Sequence, residues 1–371
     1  MTDREIRVAF DDQAFVAQQR GGVSKMFVET ALRLPEHGVE PVLLSRTTRN
    51  EHLAASGLVP RRADPGALRA RAEWFGWRVL GRPREQGRAL PPVDLVHHTF
   101  THPSYLRPLP VPRVMSVYDF MPERFPKEFP LGNPHFAKRR FVEAADLVLS
   151  ISEATLADLR RFYGDAAAEH AVVVPLGVAD AFLDAPRVEI DLPERYLLFV
   201  GVRRGYKDFD VFVEAATPLL AEEPALHVVL VGGGPLSDDE QRMLAAAGIA
   251  DRVARIAPSD AEMPTVYARA DALAFPSRYE GFGLPTLEAL ATGTPVVVVD
   301  AGVGREVGGD VALYFPAGDA VAMRERLREA RTERVAAHAR EAGPRWARAF
   351  TWDATARRTA DAYRALLDER R

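Results

Sequence analysis

Two glutamates flank a glycine-rich turn in the segment SRYEGFGLPTLEAL. Glu280 precedes the turn and Glu288 follows it, with seven residues between them. Glycine allows the backbone to approach a ligand closely, and proline favours the first turn of a helix. The segment therefore predicts a turn through Gly281 and Gly283, followed by a helix that begins near Pro285.

This turn has the features of an anion site. The backbone N–H groups of Phe282, Gly283 and Leu284 would point at the anion, which the positive end of the helix dipole also attracts. A phosphate group fits such a site. Glu288, expected in the first helical turn, suits a vicinal diol such as that of a ribose; the alternative is a carboxylate that only compensates the helix dipole. Glu280 would be repelled by a phosphate, and it suits the neutral hydroxyl groups of a sugar.

Further polar residues follow predicted strands. The segment VDLVHHTFTHP places His97 and His98 at the carboxyl end of a strand and His102 in the loop beyond. A single histidine is more often a structural hydrogen-bonding group, but three within six residues also suit a functional role. Gly21 and Gly22, after the first strand, fit either a tight strand-to-helix turn or a helix that starts close to a ligand.

Short apolar runs alternate with segments of helical periodicity, which predicts βαβ units and mostly parallel sheets. In the first half, strands are predicted at 6–10, 39–45, 93–98, 112–119, 145–152 and 171–177, and helices at 23–35, 135–145 and 153–163. In the second half, strands are predicted at 195–201, 226–232, 253–257, 272–277 and 294–300, and helices at 207–220, 238–247, 261–269 and 285–292. The sequence thus predicts two doubly wound α/β domains in tandem, with ligands in a cleft where the strands end.

The composition is that of a soluble globular protein, with 47% apolar and 27% charged residues. A length of 371 residues suits two domains, and a net charge of −4 gives no general attraction to nucleic acid or membranes. The absence of cysteine excludes disulfides, thiolate metal sites and cysteine nucleophiles, and it fits a cytoplasmic protein. The charged start MTDREIRVAF predicts no signal peptide, and no apolar run reaches the ~18 residues of a membrane span.

An arginine-rich insertion interrupts the first half of the chain. Residues 61–92 contain eight arginines and three acidic residues, together with Trp74, Phe75 and Trp77. One interpretation is a solvated insertion whose aromatic side chains pack on the first domain. The other is a surface for the acceptor or for peripheral contact with an anionic membrane, because basic residues beside aromatic ones suit such surfaces.

Asp208 and Asp210 are separated by one residue, as in some metal sites. They fall at the start of a predicted helix, where two such carboxylates would point about 200° apart. The sequence therefore predicts no shared metal ion at this pair.

The spacing of Glu280 and Glu288 resembles the E-x7-E signature of retaining glycosyltransferases of the GT-B fold, family GT4. Other segments resemble that family in the same order: GGVSKMF, SVYDFMPERFP, LSISEATLADL, VVVPLGV, FVGVRRGYKDFDVFVEA and REVGGDVALYF. The resemblance covers nearly the whole chain apart from the arginine-rich insertion. It is specific for the fold and the family and not for a substrate.

The resemblance implies a nucleotide diphosphate sugar as the donor. Charge that develops on the leaving diphosphate must be met by preorganised cations, and similar enzymes place a lysine and an arginine after the strand that ends at Gly201. Lys207 matches the lysine. Val202 stands where the family has its arginine. The role of the arginine that stabilises the diphosphate is therefore assigned to Arg203 and, as second choice, to Arg204. The alternative is that this segment is a solvent-facing basic loop.

The resemblance also implies roles for the first domain. Gly21 and Gly22 match a loop that contacts the donor diphosphate or the acceptor. Tyr118 stands where many relatives have a histidine that hydrogen-bonds the transferred sugar, and a tyrosine, with an ordinary pKa of about 10, is no ready base at neutral pH. Asp119 is assigned either to sugar hydroxyls or to orienting Tyr118 or a nearby loop. His98 is the third catalytic candidate of this domain.

One further acidic residue matches a family position. Glu306 precedes a predicted helix in GREVGGD, where helix capping and ligand binding are both open. The catalytic candidates of the second domain are thus Lys207, Arg203 and Glu280. Its donor-binding candidates are Arg204, Gly281, Phe282, Gly283, Leu284 and Glu288.

The prediction is a retaining glycosyltransferase that moves a hexose-type sugar to a hydroxyl of a saccharide, a lipid-linked sugar or a small molecule. No cofactor or metal ion is expected, because the resembling fold uses cationic side chains and a helix terminus instead of a metal. No nucleic acid is expected as a partner, given the net charge of −4. Alternatives are a GT-B sugar-nucleotide epimerase or phosphorylase, and an inactive nucleotide-binding protein. The expected domains are 1–185 for the acceptor and 186–352 for the donor, with a terminal helix at 353–371 that crosses back to the first domain.

Overall fold

The computed structural model describes residues 5–45, 48–59, 90–129, 134–184 and 188–371. The chain forms two compact units. The amino-terminal unit comprises Met1–Gly177 and Trp352–Arg371, and the carboxyl-terminal unit comprises Val178–Thr351. The arginine-rich insertion lies outside the described residues except for 90–92, so its two interpretations stay predictions.

Each unit is built on a six-stranded parallel sheet. The first has the order β2-β1-β3-β4-β5-β6 and the second the order β12-β11-β10-β7-β8-β9. The strands of the first sheet are β1 (Ile6–Phe10), β2 (Val39–Leu43), β3 (Leu95–His98), β4 (Arg113–Val117), β5 (Leu147–Ser150) and β6 (Ala171–Val173). Those of the second are β7 (Arg195–Val200), β8 (Leu226–Val231), β9 (Val253–Ile256), β10 (Ala272–Phe275), β11 (Val296–Val299) and β12 (Leu313–Phe315).

Helices connect these strands. In chain order they are α1 (Gln13–Ala17), α2 (Gly22–Arg33), α3 (Glu51–Ser56), α4 (Met121–Arg124), α5 (Lys138–Glu143), α6 (Glu153–Tyr163), α7 (Asp180–Leu183), α8 (Phe209–Glu222), α9 (Asp238–Ala246), α10 (Met263–Ala268), α11 (Leu284–Ala291), α12 (Gly302–Gly308), α13 (Ala320–Ala330), α14 (Glu333–Ala347) and α15 (Trp352–Asp368). Helix α15 belongs to the amino-terminal unit.

The central strands of each sheet are buried. All four valines of β11 are buried, as are all residues of β3, β5 and β10. Continuous apolar runs of this kind are typical of parallel sheets. The prediction of two doubly wound α/β domains is confirmed, and all eleven predicted strands are present with ends that differ by up to four residues. Among the described elements, the prediction omitted strand β12 and seven helices: α1, α3, α4, α7, α12, α13 and α14.

In each sheet the strand order reverses at one place, which we call the switch point. It lies between β1 and β3 in the first sheet and between β7 and β10 in the second. The loops that follow the two strands of a switch point diverge and leave a crevice at their carboxyl ends, where open α/β sheets bind ligands. Each unit therefore has one position at which its fold favours a site.

Candidate active site

The switch point of the second sheet joins two residues predicted from sequence. Lys207 lies in the loop after β7 and Glu280 in the loop after β10, and the ammonium of Lys207 donates a hydrogen bond to Glu280 Oε1. Their side chains are 12% and 14% exposed. The Lys207 Nζ atom also lies 5.3 Å from the ring centroid of Phe275 and 5.4 Å from that of Tyr206. The cation is thus held by one carboxylate and two aromatic faces.

A second ion pair fixes the loop that carries Lys207. Asp208 adopts a left-handed conformation with a φ of 44°, and its Oδ1 atom accepts a hydrogen bond of 2.8 Å from Arg278 Nε. The backbone N–H of Arg278 donates to the carbonyl of Tyr206 at 2.8 Å. Because Arg278 belongs to the loop after β10, these contacts hold the two loops of the switch point together.

The predicted glycine turn forms beside this pair. Gly283 is the N-cap of α11, with a φ of 87°, and no side chain caps the helix there. The first N–H groups of a helix have no partner within the helix, so those of the turn suit an anion. A Cβ atom at Gly283 would lie 3.8 Å from Phe275 Cε1, which belongs to the ring beneath Lys207. Phe282 is buried, with its ring 6.1 Å from that of Phe350.

Glu288 lies further along the helix than predicted. Because α11 begins at Leu284, Glu288 is its fifth residue, and the first turn contains no acidic residue. Its Oε2 atom accepts a hydrogen bond of 2.8 Å from the hydroxyl of Tyr267. Burial, together with the charge and hydrogen bond of Glu288, raises the pKa of Tyr267 well above its ordinary value. The tyrosine therefore stays a donor and orients the carboxylate.

Arg203 holds a neighbouring loop. Its side chain is 1% exposed, and its Nε donates to Glu240 at 2.9 Å. Its terminal nitrogens donate to the carbonyls of Gly232 at 2.6 Å and Gly234 at 2.9 Å. Arg203 is thus committed to this loop, and Arg204 is the exposed arginine of the pair. The contacts therefore do not favour the predicted preference for Arg203 as the cation that meets a phosphate.

The switch point of the first sheet holds a different pair. Asp11 follows β1, and its Oδ2 accepts hydrogen bonds from His98 Nδ1 at 2.7 Å and Gln13 Nε2 at 2.6 Å. Its Oδ1 accepts from the backbone N–H of Thr99 at 3.0 Å and from the Thr99 hydroxyl at 2.5 Å. Burial alone would raise the pKa of Asp11, but hydrogen bonds led by that of His98 outweigh it and leave the pKa below its ordinary value.

His98 has both ring nitrogens in hydrogen bonds. Its Nε2 accepts from Arg113 Nε at 3.0 Å. Because an arginine can only donate, the proton of the neutral imidazole lies on Nδ1, which faces Asp11. The chain of donors therefore runs from Arg113 through His98 to Asp11, within the amino-terminal unit.

The other two histidines are also in hydrogen bonds with protein groups. His97 Nδ1 lies 2.6 Å from the hydroxyl of Tyr363 on α15, and its Nε2 lies 2.8 Å from Ser116 Oγ. Burial lowers the pKa of His97 to about 3. His102 Nδ1 lies 2.7 Å from Ser104 Oγ and accepts from the Ser104 N–H, which caps a short 3₁₀ turn. These contacts favour the structural interpretation of the three histidines.

Tyr118 and Asp119 contribute to local structure. The hydroxyl of Tyr118 donates to the carbonyl of Thr99 at 3.0 Å, and burial raises its pKa well above the ordinary value. Asp119 Oδ1 accepts from the N–H of Met121 at the start of α4, at 3.1 Å. The buried Lys138 donates to the Asp119 carbonyl at 2.6 Å. The geometry gives Asp119 a loop-ordering role and does not place its carboxylate against the Tyr118 hydroxyl.

Gly21 and Gly22 begin α2. Gly21 is the N-cap, and Gln18 Oε1 accepts a hydrogen bond of 3.0 Å from the N–H of Ser24. A Cβ atom at Gly22 would meet no heavy atom within 4 Å. The fold therefore does not require glycine at 22, and a turn alone does not explain that residue.

The remaining candidates have ordinary surroundings. Asp208 is paired with Arg278, whereas Asp210 is exposed. Glu306 lies within α12 and not before a helix, so the prediction of a capping position is wrong. Within the described ranges, no group of three or more His, Asp or Glu side chains could hold a metal ion. No helix in the described part of the chain is long and apolar enough to cross a membrane.

Two family models match the chain: Glycosyltransferase Family 4 over residues 20–182 and Glycosyl transferases group 1 over residues 183–346. The D-inositol 3-phosphate glycosyltransferase of Nocardia farcinica is 30% identical over 330 residues, which cover 76% of this chain and 70% of that protein. The chain belongs to the GT4 glycosyltransferase family.

Other relatives match shorter stretches of this GT4 protein. The D-inositol 3-phosphate glycosyltransferase of Kineococcus radiotolerans is 35% identical over 265 residues, covering 63% of this chain and 60% of that protein. Two further D-inositol 3-phosphate glycosyltransferases are matched over only 42% and 40% of their own length. The chain thus spans between two fifths and three fifths of the length of these curated relatives.

Solved structures show the GT-B fold of this GT4 protein. Sucrose-phosphate synthase from Thermosynechococcus elongatus has a TM-score of 0.71 at 20% identity, covering 98% of this chain and 100% of that one. Anabaena HepE in complex with UDP-glucose has a TM-score of 0.68 at 17% identity, covering 97% and 99%. The predicted family and fold are confirmed.

Sequence reasoning missed several residues that organise these sites in the GT4 protein. Asp11 had a usable signal, because an acidic residue directly after the first strand of a parallel sheet lies at its ligand-binding edge. No sequence signal indicated the other three residues, Arg278, Tyr267 and Glu240. Each of them acts through a hydrogen-bonding partner that lies 21 to 70 residues away in sequence. Only the folded loops show which charges are paired.

Proposed function

We propose that this GT4 protein is a retaining glycosyltransferase that moves a hexose-type sugar from a nucleoside diphosphate sugar to an acceptor hydroxyl. The observation that carries the proposal is the Lys207–Glu280 pair beside the glycine turn of α11, at the switch point of the second sheet. The solved complex of HepE with UDP-glucose supports a uridine nucleotide as the first donor to test.

Each group of this site has a proposed partner on the donor. Lys207 and the N–H groups of the turn meet the diphosphate, since a helix N-terminus and a preorganised cation both stabilise negative charge. Glu280 accepts hydrogen bonds from hydroxyls of the transferred sugar. Glu288, oriented by Tyr267, accepts hydrogen bonds from the ribose hydroxyls. Because Lys207 is already partly exposed, a phosphate oxygen can join or replace Glu280 as its partner.

Retention follows from attack on the face that the diphosphate leaves. The acceptor oxygen bonds to the anomeric carbon while the bond from that carbon to the diphosphate oxygen breaks. The departing phosphate takes the proton of the acceptor hydroxyl. Lys207 and the turn stabilise the charge on the diphosphate in the transition state, and no side chain is assigned as a nucleophile. The amino-terminal unit binds the acceptor in this proposal.

Nucleotide binding tests the donor assignment. Isothermal titration with UDP, UMP, GDP and ADP should give the tightest binding with a diphosphate, and UDP should bind at least about tenfold more tightly than UMP if the turn and Lys207 meet the second phosphate. Glu288→Gln should weaken UDP binding about tenfold, because hydrogen bonds to a charged acceptor contribute about 1.5–3 kcal/mol and a neutral amide gives less. Glu333→Gln is the control, since its side chain is 83% exposed.

Two outcomes would contradict the proposal. Equal binding of UDP and UMP, with no effect of Glu288→Gln, would remove the donor site from this turn. A nucleotide sugar that is converted at full rate without any acceptor would indicate an epimerase or a hydrolytic activity and not a transferase. Product analysis by mass spectrometry separates these cases.

A further inference from the structure

A cavity of about 180 Å³ lies at the carboxyl edge of the first sheet. Its wall includes Asp11 and Asp12, which follow β1, together with Leu44 after β2 and His98 at the end of β3. The cavity therefore occupies the switch point of the amino-terminal unit, where a doubly wound sheet places its ligands.

Apart from Arg107, the polar side chains of this wall form hydrogen bonds with protein groups. Asp11 accepts from His98 at 2.7 Å, and Asp12 accepts from the hydroxyl of Tyr105 at 2.6 Å. Ser104 Oγ lies 2.7 Å from a histidine nitrogen. A ligand in the cavity therefore meets mainly hydrocarbon, which four aliphatic side chains supply: Leu44, Leu90, Val96 and Leu109.

Volume limits what the cavity can take. An apolar cavity of about 150 Å³ is large enough to bind benzene. A cavity of about 180 Å³ therefore suits one aromatic ring or a branched alkyl group of about five carbons. A polyol of similar size would leave hydroxyl groups without partners against the aliphatic side chains, which is unfavourable.

We infer that this cavity binds an apolar part of the acceptor, next to the hydroxyl that receives the sugar. The inference rests on the proposed transferase function and names the chemistry of its acceptor. An aromatic alcohol and a lipid-linked acceptor with a branched alkyl unit share that chemistry. Among the described residues of the wall there is one cationic side chain, Arg107, and there are two carboxylates, Asp11 and Asp12. The negatively charged D-inositol 3-phosphate is therefore a poor match for this cavity.

Direct binding of small alcohols tests the inference. Wild-type protein is titrated with benzyl alcohol, with 3-methylbutan-1-ol and with D-inositol 3-phosphate, and binding is followed by saturation-transfer NMR. Both alcohols should bind and D-inositol 3-phosphate should not compete with them. The nucleotide sugar that binds most tightly is then added, and the rates at which the two alcohols are glycosylated are compared. Faster glycosylation of benzyl alcohol indicates a small aromatic acceptor. Faster glycosylation of 3-methylbutan-1-ol indicates a lipid-linked acceptor.

Variants that fill the cavity give the specific control. Leu109→Trp should weaken binding of both alcohols at least tenfold, and Leu44→Phe, on the β2 side, provides a second filled variant if the first does not fold. Leu32→Trp is the matched control, because Leu32 is 41% exposed on α2 and does not line the cavity. It should change alcohol binding less than twofold.

Absence of alcohol binding to the wild type, or unchanged binding to both folded filled variants, would overturn the inference. So would competition by D-inositol 3-phosphate that the filled variants abolish, since the cavity would then take a polyol. UDP is titrated into the same samples. UDP binding without alcohol binding defeats the inference and leaves the proposed function standing, whereas loss of UDP specificity defeats the proposed function itself.

Discussion

Each unit places an acid–base pair at the switch point of its sheet, and the two pairs have opposite surroundings. In the carboxyl-terminal unit, Lys207 and Glu280 are 12% and 14% exposed, and the lysine otherwise lies over aromatic faces. In the amino-terminal unit, His98 and Asp11 are 3% and 5% exposed. There Asp11 accepts hydrogen bonds from Gln13 and Thr99 as well, and His98 accepts from Arg113.

The difference shows that the position in the fold does not decide the role of a charged pair. Lys207 can exchange a carboxylate for a phosphate oxygen without leaving a buried donor unpaired. Asp11 cannot change partners so easily, because each hydrogen bond it gave up would leave a buried polar group unsatisfied. The first pair is therefore suited to a ligand, and the second pair fixes the loops that shape the cavity beside it.

The largest expected effect is on activity, from Lys207→Met. Removal of a preorganised charge that stabilises a transition state costs about 10²–10³ in kcat. The free energy of unfolding should fall by less than the roughly 3 kcal/mol expected when one partner of a fully buried pair is lost, because Glu280 is 14% exposed and can be solvated. Initial rates of sugar transfer and chemical denaturation measure the two quantities.

Lys127→Met, a change of an exposed lysine in the amino-terminal unit, is the control and should keep full activity. If Lys207→Met transfers sugar at the wild-type rate, the functional difference between the Lys207–Glu280 pair and the His98–Asp11 pair is contradicted. It is also contradicted if the main result of Lys207→Met is a loss of stability.

The next effect is on stability, from Asp11→Asn. Both carboxylate oxygens of Asp11 accept hydrogen bonds, so the NH2 group of an asparagine must face donors, either His98 or Thr99. His98 cannot relieve the clash by reversing its tautomer, because Arg113 donates to its Nε2. The free energy of unfolding should fall by about 3 kcal/mol, as when one partner of a buried pair is lost. UDP affinity, measured by titration, should stay within twofold.

Asp165→Asn changes an exposed aspartate of the same unit and should leave both quantities unchanged. If Asp11→Asn instead weakens UDP binding while the unfolding free energy is retained, Asp11 contacts the donor. The two switch points would then both be ligand sites.

The sequence was sufficient for the architecture because the apolar runs are strong signals. The valine-rich strand at 296–299 was predicted to within two residues at each end, and the helix at 284–291 to within one. Strand β12 was missed: its three residues are too few to show a period, whereas β6, of the same length, lies in the longer apolar run AVVVPLG. The family resemblance predicted that Glu280, Gly283 and Lys207 belong to one site. Lys207 and Glu280 meet in the structure because the loops after neighbouring parallel strands lie at one edge of the sheet.

What the sequence could not show is how each charge is paired. Arg203 and Arg204 are adjacent and chemically alike, yet one is buried against Glu240 and the other is exposed. The same holds for His98 and Tyr118, whose partners Arg113 and the carbonyl of Thr99 are brought to them by the fold. Residue type and spacing give the chemistry that is available, and tertiary contacts decide which groups are already committed.

The smallest of the three effects is the pH dependence that His97 gives to stability. Burial lowers the pKa of folded His97 to about 3, whereas an unfolded histidine has a pKa of about 6.5. Between these values only the unfolded chain binds the proton, so the contribution is complete above pH 6.5 and is lost as the pH falls toward 3. From pH 7 to pH 5 the free energy of unfolding should therefore fall by about 2 kcal/mol because of His97. In urea denaturation, His97→Gln should remove this part of the pH dependence. His227→Gln, in the carboxyl-terminal unit, is the control and should keep it. If His97→Gln leaves the pH dependence of the unfolding free energy unchanged, His97 titrates in the folded protein as it does in the unfolded chain. The histidines of the first switch point would then be available for chemistry.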